Sequence, residues 1–178
     1  MKTFLRLTSL AATIAALALT AAPAQAASLV SATPQAVAKV KILKALTLTQ
    51  VEDLDFGTVV LSGAGVWGGE VVSVDTAGAL TCGGGSNLTC SGATTAAEYN
   101  VTGSNNAVVN VTIPASVVIS NGTANLTVTT SKSIGASVTM PNSGNTGVNF
   151  NIGGSITLAS ATADGIYQGD IVVTADYQ

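Results

Sequence analysis

Along most of the chain, apolar residues recur at every second position and turn residues interrupt them every 8–12 residues. Val109, Val111 and Ile113 alternate with Asn110 and Thr112 until Pro114 stops the run. Val117–Ile119 and Leu126–Val128 flank Ser120-Asn121-Gly122-Thr123, which predicts a hairpin because Asn and Gly accept positive φ. Tyr99 and Val101 precede the turn residues Gly103 to Asn106. Val148, Phe150 and Ile152 form another alternating run, which meets Gly153-Gly154 before Ile156 and Leu158 resume it. No stretch of useful length has the helical period. The pattern predicts about ten short strands in an antiparallel β-sandwich or barrel, with no interior linker or repeat.

The two ends of this pattern differ. Residues 27–38 have weak periodicity and contain Pro34. Val40 and Ile42 then face one way and Lys39 and Lys41 the other, which predicts a strand. A break at Leu43-Lys44 precedes Leu46 and Leu48, which alternate with Thr47 and Thr49. This divides the chain into an N-terminal arm over residues 27–43 and a body over residues 44–178. At the other end, Ile166 to Gln178 predicts a last strand. One face carries Tyr167, Gly169, Ile171, Val173, Ala175 and Tyr177, and the other Gln168, Asp170, Val172, Thr174 and Asp176. A terminal strand frays unless something pairs with it.

Composition narrows the class. A mean hydropathy of +0.52 with only 8 % charged residues excludes intrinsic disorder. Residues 1–26 read as a secretory signal. Lys2 and Arg6 form a positive start, Leu10–Thr20 is a short uncharged apolar run, and Ala24-Gln25-Ala26 is an A-x-A cleavage site. Removing Lys2 and Arg6 takes the formal charge from −3 to −5 and leaves four lysines, no arginine and nine acids. Such a chain has almost no cationic means of holding nucleic acid or phosphate. No later apolar segment approaches the roughly 20 residues that span a bilayer. The expected location is therefore exported, from the periplasm of a Gram-negative bacterium to its surface or beyond.

Candidate chemistry is sparse. In an exported protein, Cys82 and Cys90 predict one disulfide across a bendable Gly-rich loop, contributing roughly 2.5 kcal/mol by chain entropy. With no His in the sequence, there is no Ser-His or Cys-His pair and no ready metal centre. Glu52, Asp53 and Asp55 are the one acidic cluster, but they lack the spacing of a calcium loop and read as a solvated turn. Gly83–Gly85 lacks the Lys-Ser or Lys-Thr of a phosphate loop. Trp67, beside Gly68-Gly69, is the candidate ligand contact, able to stack on a sugar ring or to plug the sandwich. The chain is expected to be non-enzymatic, with no catalytic residues, cofactor or metal.

Leu54-Asp55-Phe56-Gly57-Thr58-Val59 resembles the "LDFG" opening of secreted bacterial pilin-like β-domains, in particular the domain of unknown function 4402 family (DUF4402). Ala97 to Gly103, the Ile113-Pro114 step, Gly153-Gly154 and Gly165-x-Tyr167-x-Gly169 through Tyr177-Gln178 extend the likeness over roughly residues 36–178. The end of the chain also resembles chaperone–usher pilins, which have a penultimate tyrosine and a glycine fourteen residues from the end, here Tyr177 and Gly165. The resemblance implies an immunoglobulin-like sandwich. Its last strand would pair with a chaperone and then flank a groove filled by the N-terminal extension of the next subunit. In this chain no long, clean alternating run precedes Val40, so the donor residues are not fixed by the likeness.

The expected function is a structural subunit of a surface fibre assembled by β-strand donation. Gly165, Tyr167, Ile171, Val173 and Tyr177 would form the assembly strand, and Leu29, Val37, Val40 and Ile42 are the candidate donor side chains. Phe56 and Tyr99 are expected core anchors. The partners would be further copies or related subunits, with a periplasmic chaperone and outer-membrane usher. The alternative is a self-contained secreted binding module or adhesin using Trp67 and the 83–89 loop. A small outer-membrane barrel is disfavoured, because the six aromatics after residue 26 are too few for two interfacial girdles.

Overall fold

A computed structural model of the chain describes residues 28–144 and 146–178; the expected signal segment lies outside the described residues. The chain divides into two units, Met1–Val40 and Lys41–Gln178. In the first, the described residues form no strand, and Leu29 and Val40 are 98 % and 83 % exposed. The strand expected around Val40 and Ile42 is therefore absent. Alternation supplies one apolar face, but a strand also needs a neighbour for its N–H and C=O groups, and residues 28–46 have no ladder.

The second unit is all-β, with twelve strands and no helix among the described residues. They are β1 (Thr47–Glu52), β2 (Thr58–Leu61), β3 (Gly68–Val74), β4 (Leu80–Cys82), β5 (Leu88–Ser91) and β6 (Ala97–Thr102), then β7 (Val108–Thr112), β8 (Ser116–Ser120), β9 (Asn125–Lys132), β10 (Ser137–Thr139), β11 (Val148–Ala159) and β12 (Thr174–Tyr177). Every pairing is antiparallel. One sheet contains β1, β6, β11, β3, β4, β9 and β8; a second runs β10-β7-β12; β2 and β5 form a third. The fold is the antiparallel β-sandwich expected from the pattern.

β11 organises it. Val148–Ile152 pair with β6, Gly154–Ala159 with β3, and Ile152–Ile156 with β9. Because Ile152 lies opposite both Ala97 and Lys132, β6 and β9 take its two edges. The inner face of β11 crosses two cores. Phe150 and Ile152 pack with Val101, Val109, Val111 and Met140 between the large sheet and β7. Ile156 and Leu158 pack with Val72, Leu88 and Val128 beneath β5. Tyr99 stacks on Phe150 with ring centres 5.7 Å apart, so it anchors the first core, while Phe56 is half-buried against the second.

The expected break at Gly153-Gly154 does not occur; the strand runs straight through. A β-carbon on Gly154 would sit 2.8 Å from Val128 Cγ1 and 2.9 Å from Leu54 Cδ2. The glycine is a site of close approach, not a turn. It makes room for Leu54, which the turn of the Leu54-Asp55-Phe56-Gly57 motif aims inward. Asp55 exchanges main-chain hydrogen bonds with Thr95 (2.9 and 3.1 Å), and its carboxylate accepts from the Gly57 N–H (2.8 Å). The Asn121-Gly122 hairpin forms as expected, with Ser120 opposite Asn125. Cys82 and Cys90 are disulfide-bonded, with Cα atoms 5.9 Å apart, joining β4 to β5.

Candidate assembly site

The last strand keeps the alternation of its sequence. Ile171, Val173, Ala175 and Tyr177 are half-buried against the first core, while Asp170, Val172, Thr174 and Asp176 are exposed. Its ladder is shorter than the expected run from Ile166. β12 pairs with β7 from Thr174–Thr112 to Tyr177–Val109, and upstream only Gln168 and Ser120 exchange main-chain bonds, at 2.9 and 3.0 Å. The segment thus passes from the edge of β8 to the edge of β7. Between those pairings, β7 runs into β8 through Pro114, which has no N–H to offer. The carbonyls on either side of the Pro114–Ala115 bond are also engaged elsewhere. Thr130 donates its hydroxyl to Pro114 and its N–H to Ala115, the latter at 3.0 Å. The apolar face is as read, but the ladder is shorter than expected: it begins at Thr174, opposite Thr112, and the next position on that neighbouring edge is Pro114.

Across from this segment lies β1, paired only with β6. Leu46 and Leu48 are half-buried against the same core as Ile171, Val173 and Ala175. Side chains tie the two segments together at both ends. Tyr177 Oη accepts the Ser104 N–H (2.7 Å) and donates to the Lys44 carbonyl (2.8 Å), just before β1. At the other end, Tyr99, which sits opposite Gln50 of β1, directs its hydroxyl to the Ile171 carbonyl at 3.4 Å. Burial, and then the Asp53 carboxylate, hold the Tyr99 phenol above its ordinary pKa of 10.0. Between the two ties, β1 and β12 present half-buried apolar rows along strands that each lack a second partner among the described residues. Each of these two edges leaves the N–H and C=O groups of its outer side without a ladder among the described residues.

The remaining residues singled out from the sequence fall elsewhere. Gly165 has φ +137°, and a β-carbon there would meet Asn121 Nδ2 at 2.9 Å; the segment leading to the last strand thus needs glycine where it passes the hairpin turn. Tyr167 is remote from these two edges. It donates to the Ala163 carbonyl (2.8 Å) and lines a hollow of about 320 Å³ with Ala124, Leu126 and Ala161. Leu29 and Val37 are exposed in the first unit, as is Ile42 at the start of the second. Trp67 is half-buried against the second core, its indole N–H donating to the Ser62 carbonyl at 3.3 Å. The acids of the Glu52–Asp55 turn work locally, since Asp53 accepts from Gln50 and Asp55 from Gly57. Among the described residues, no group of three or more His, Cys, Asp or Glu is placed to hold a metal. Sequence reasoning missed Leu46, Leu48 and Ser104 as parts of the site. The two leucines carry a strand signal, but nothing in the sequence says which edge they face.

These features define an antiparallel sandwich in which two strand edges, β1 and β12, flank one core. The model of a family described as a domain of unknown function (DUF4402) matches residues 46–177, and the chain belongs to that family. The match begins at Leu46, just before β1, and ends at Tyr177, the last residue of β12. No curated protein and no solved structure matches the chain.

Proposed function

We propose that this protein is a non-enzymatic structural subunit of a bacterial surface fibre, exported from the cell and joined to its neighbours by β-strand donation. The observation that carries this reading is the seam, where Leu46 and Leu48 face Ile171, Val173, Ala175 and Tyr177 across two strand edges without a second partner among the described residues. An added strand that buries four or five apolar side chains, at about 1.5–3 kcal/mol each, gains on the order of 10 kcal/mol before ordering costs. Donor and acceptor are different parts of the molecule, so head-to-tail repetition does not close on itself and a fibre grows. A periplasmic chaperone would cover the same edge before assembly, and an outer-membrane usher would exchange it for the next subunit.

The test is a denaturing gel of material sheared from cells expressing the protein, run with and without boiling. A ladder of multimers that collapses on boiling is the expected result. A single monomer band in both lanes overturns the reading and turns attention to the self-contained binding module, with Trp67 as its contact.

A further inference from the structure

Charge is distributed very unevenly along the chain. Lys39 and Lys41 lie in the arm and Lys44 just after it, with no acid before Glu52, whereas the chain from Glu52 onward holds all nine acids and only Lys132 as a base. The arm also carries several of the most exposed large apolar side chains, including Leu29, Val37, Val40 and Ile42. On the acceptor side, the outer face of the last segment is exposed and carries Asp170 and Asp176 at its two ends, with Val172 and Thr174 between.

Resting on the strand-donation reading, we propose that the strand entering the seam is Ala38–Leu43 of a second copy. Its lysine face is directed to the outer side of the last segment by Lys39 and Lys41 pairing with Asp170 and Asp176. The periodicities match: Val40 and Ile42 on one face and the two lysines on the other meet an inner row of Ile171, Val173 and Ala175 and an outer row ending in acids. Val40 and Ile42 can lie opposite Ile171 and Val173, or opposite Val173 and Ala175, with the strands running in either direction. In each of these arrangements at least one lysine is directly opposite or diagonal to Asp170 or Asp176, within reach of a long side chain. Slipping by one residue turns the lysines into the apolar row, and that cost rejects the wrong register. Exposed pairs of this kind add little affinity; their effect is to favour a lysine-bearing partner strand, while the cost of burying a lysine rejects one-residue slips.

The experiment is fluorescence anisotropy of a labelled peptide spanning residues 36–44, titrated with the full exported chain. The expected result is binding of the native peptide, binding about five- to tenfold weaker for the K39E/K41E peptide, and no binding for V40D/I42D. The D170K/D176K protein should reverse the preference between the first two peptides. D170N/D176N should erase the preference without reversing it, and 0.5 M salt should shrink it through screening. Equal binding of the native and K39E/K41E peptides overturns the charge pairing. Absence of native-peptide binding overturns the choice of segment, as does an arm held on its own β12 in a strictly monomeric protein. A reversed peptide preference alongside a monomer-only surface gel would leave this pairing standing and remove the fibre reading. Multimers with no peptide preference would do the opposite.

Discussion

Ala38–Leu43 and Asp170–Tyr177 have the same kind of sequence, apolar and polar by turns, yet their surroundings differ. In the first, Val40 and Ile42 are 83 % and 84 % exposed and no ladder forms. In the second, Ile171, Val173, Ala175 and Tyr177 lean on a core that includes Val109 and Val111, and β7 pairs with the last four residues of the run. Alternation specifies which face of a strand is apolar. It does not supply the neighbour that satisfies the backbone, and in this molecule one segment has that neighbour on one edge while the other has none.

The comparison breaks most severely at Val173. Placing a carboxylate in the half-buried row by Val173→Asp is expected to destabilise the body by about 3 kcal/mol, read as a lower denaturation midpoint, and to abolish export or surface assembly while synthesis continues. Normal surface display of that variant would refute the role given to the last strand. Tyr177→Phe removes the bonds to Lys44 and Ser104 that hold the end of β12 to the root of β1. A loss of about 1–2 kcal/mol is expected in urea titration, because the Ser104 N–H and Lys44 carbonyl lose a partner.

A smaller effect concerns pH. Burial and Asp53 raise the Tyr99 pKa in the folded state, so above the ordinary value of 10.0 the unfolded chain releases its proton first. This contribution is complete below pH 10 and is lost as pH rises through the folded value. Tyr99→Phe should therefore flatten the alkaline arm of the stability curve, and an unchanged arm would count against the assignment. Smallest for the monomer is Val40→Asp with Ile42→Asp, expected to shift stability by less than about 0.5 kcal/mol since both side chains stand in water. The same pair should remove the multimer ladder. A variant that loses stability but still multimerises would show that the arm is part of the fold and not the donor.

Local chemistry made several elements readable from the sequence. The Asn121-Gly122 hairpin follows from two residues that accept positive φ. The β7 run ends just before Pro114 because proline cannot donate to a ladder. The face of the last strand was legible down to the penultimate residue. Gly153-Gly154 misled, because the same absence of a side chain serves a turn and a close packing contact. Only the proximity of Val128 and Leu54 distinguishes them. The candidate site was half legible: Ile171, Val173 and Tyr177 came from periodicity, whereas Leu46 and Leu48 are ordinary strand residues until β1 is found opposite β12.

The sequence by itself determined the all-β class, the apolar faces of most strands, the partners of the one disulfide and the separation of a lysine-bearing arm from an acidic body. These depend on periodicity of two, turn chemistry and charge, which are properties of neighbouring residues. The tertiary structure decided that β11 runs unbroken through two cores, that the last segment changes neighbour from β8 to β7 past Pro114, and that β1 and β12 face each other across a seam tied by Tyr177 and Tyr99. Those outcomes depend on which strands meet, and pairing between residues tens of positions apart is settled by competition among whole edges for the same main-chain groups.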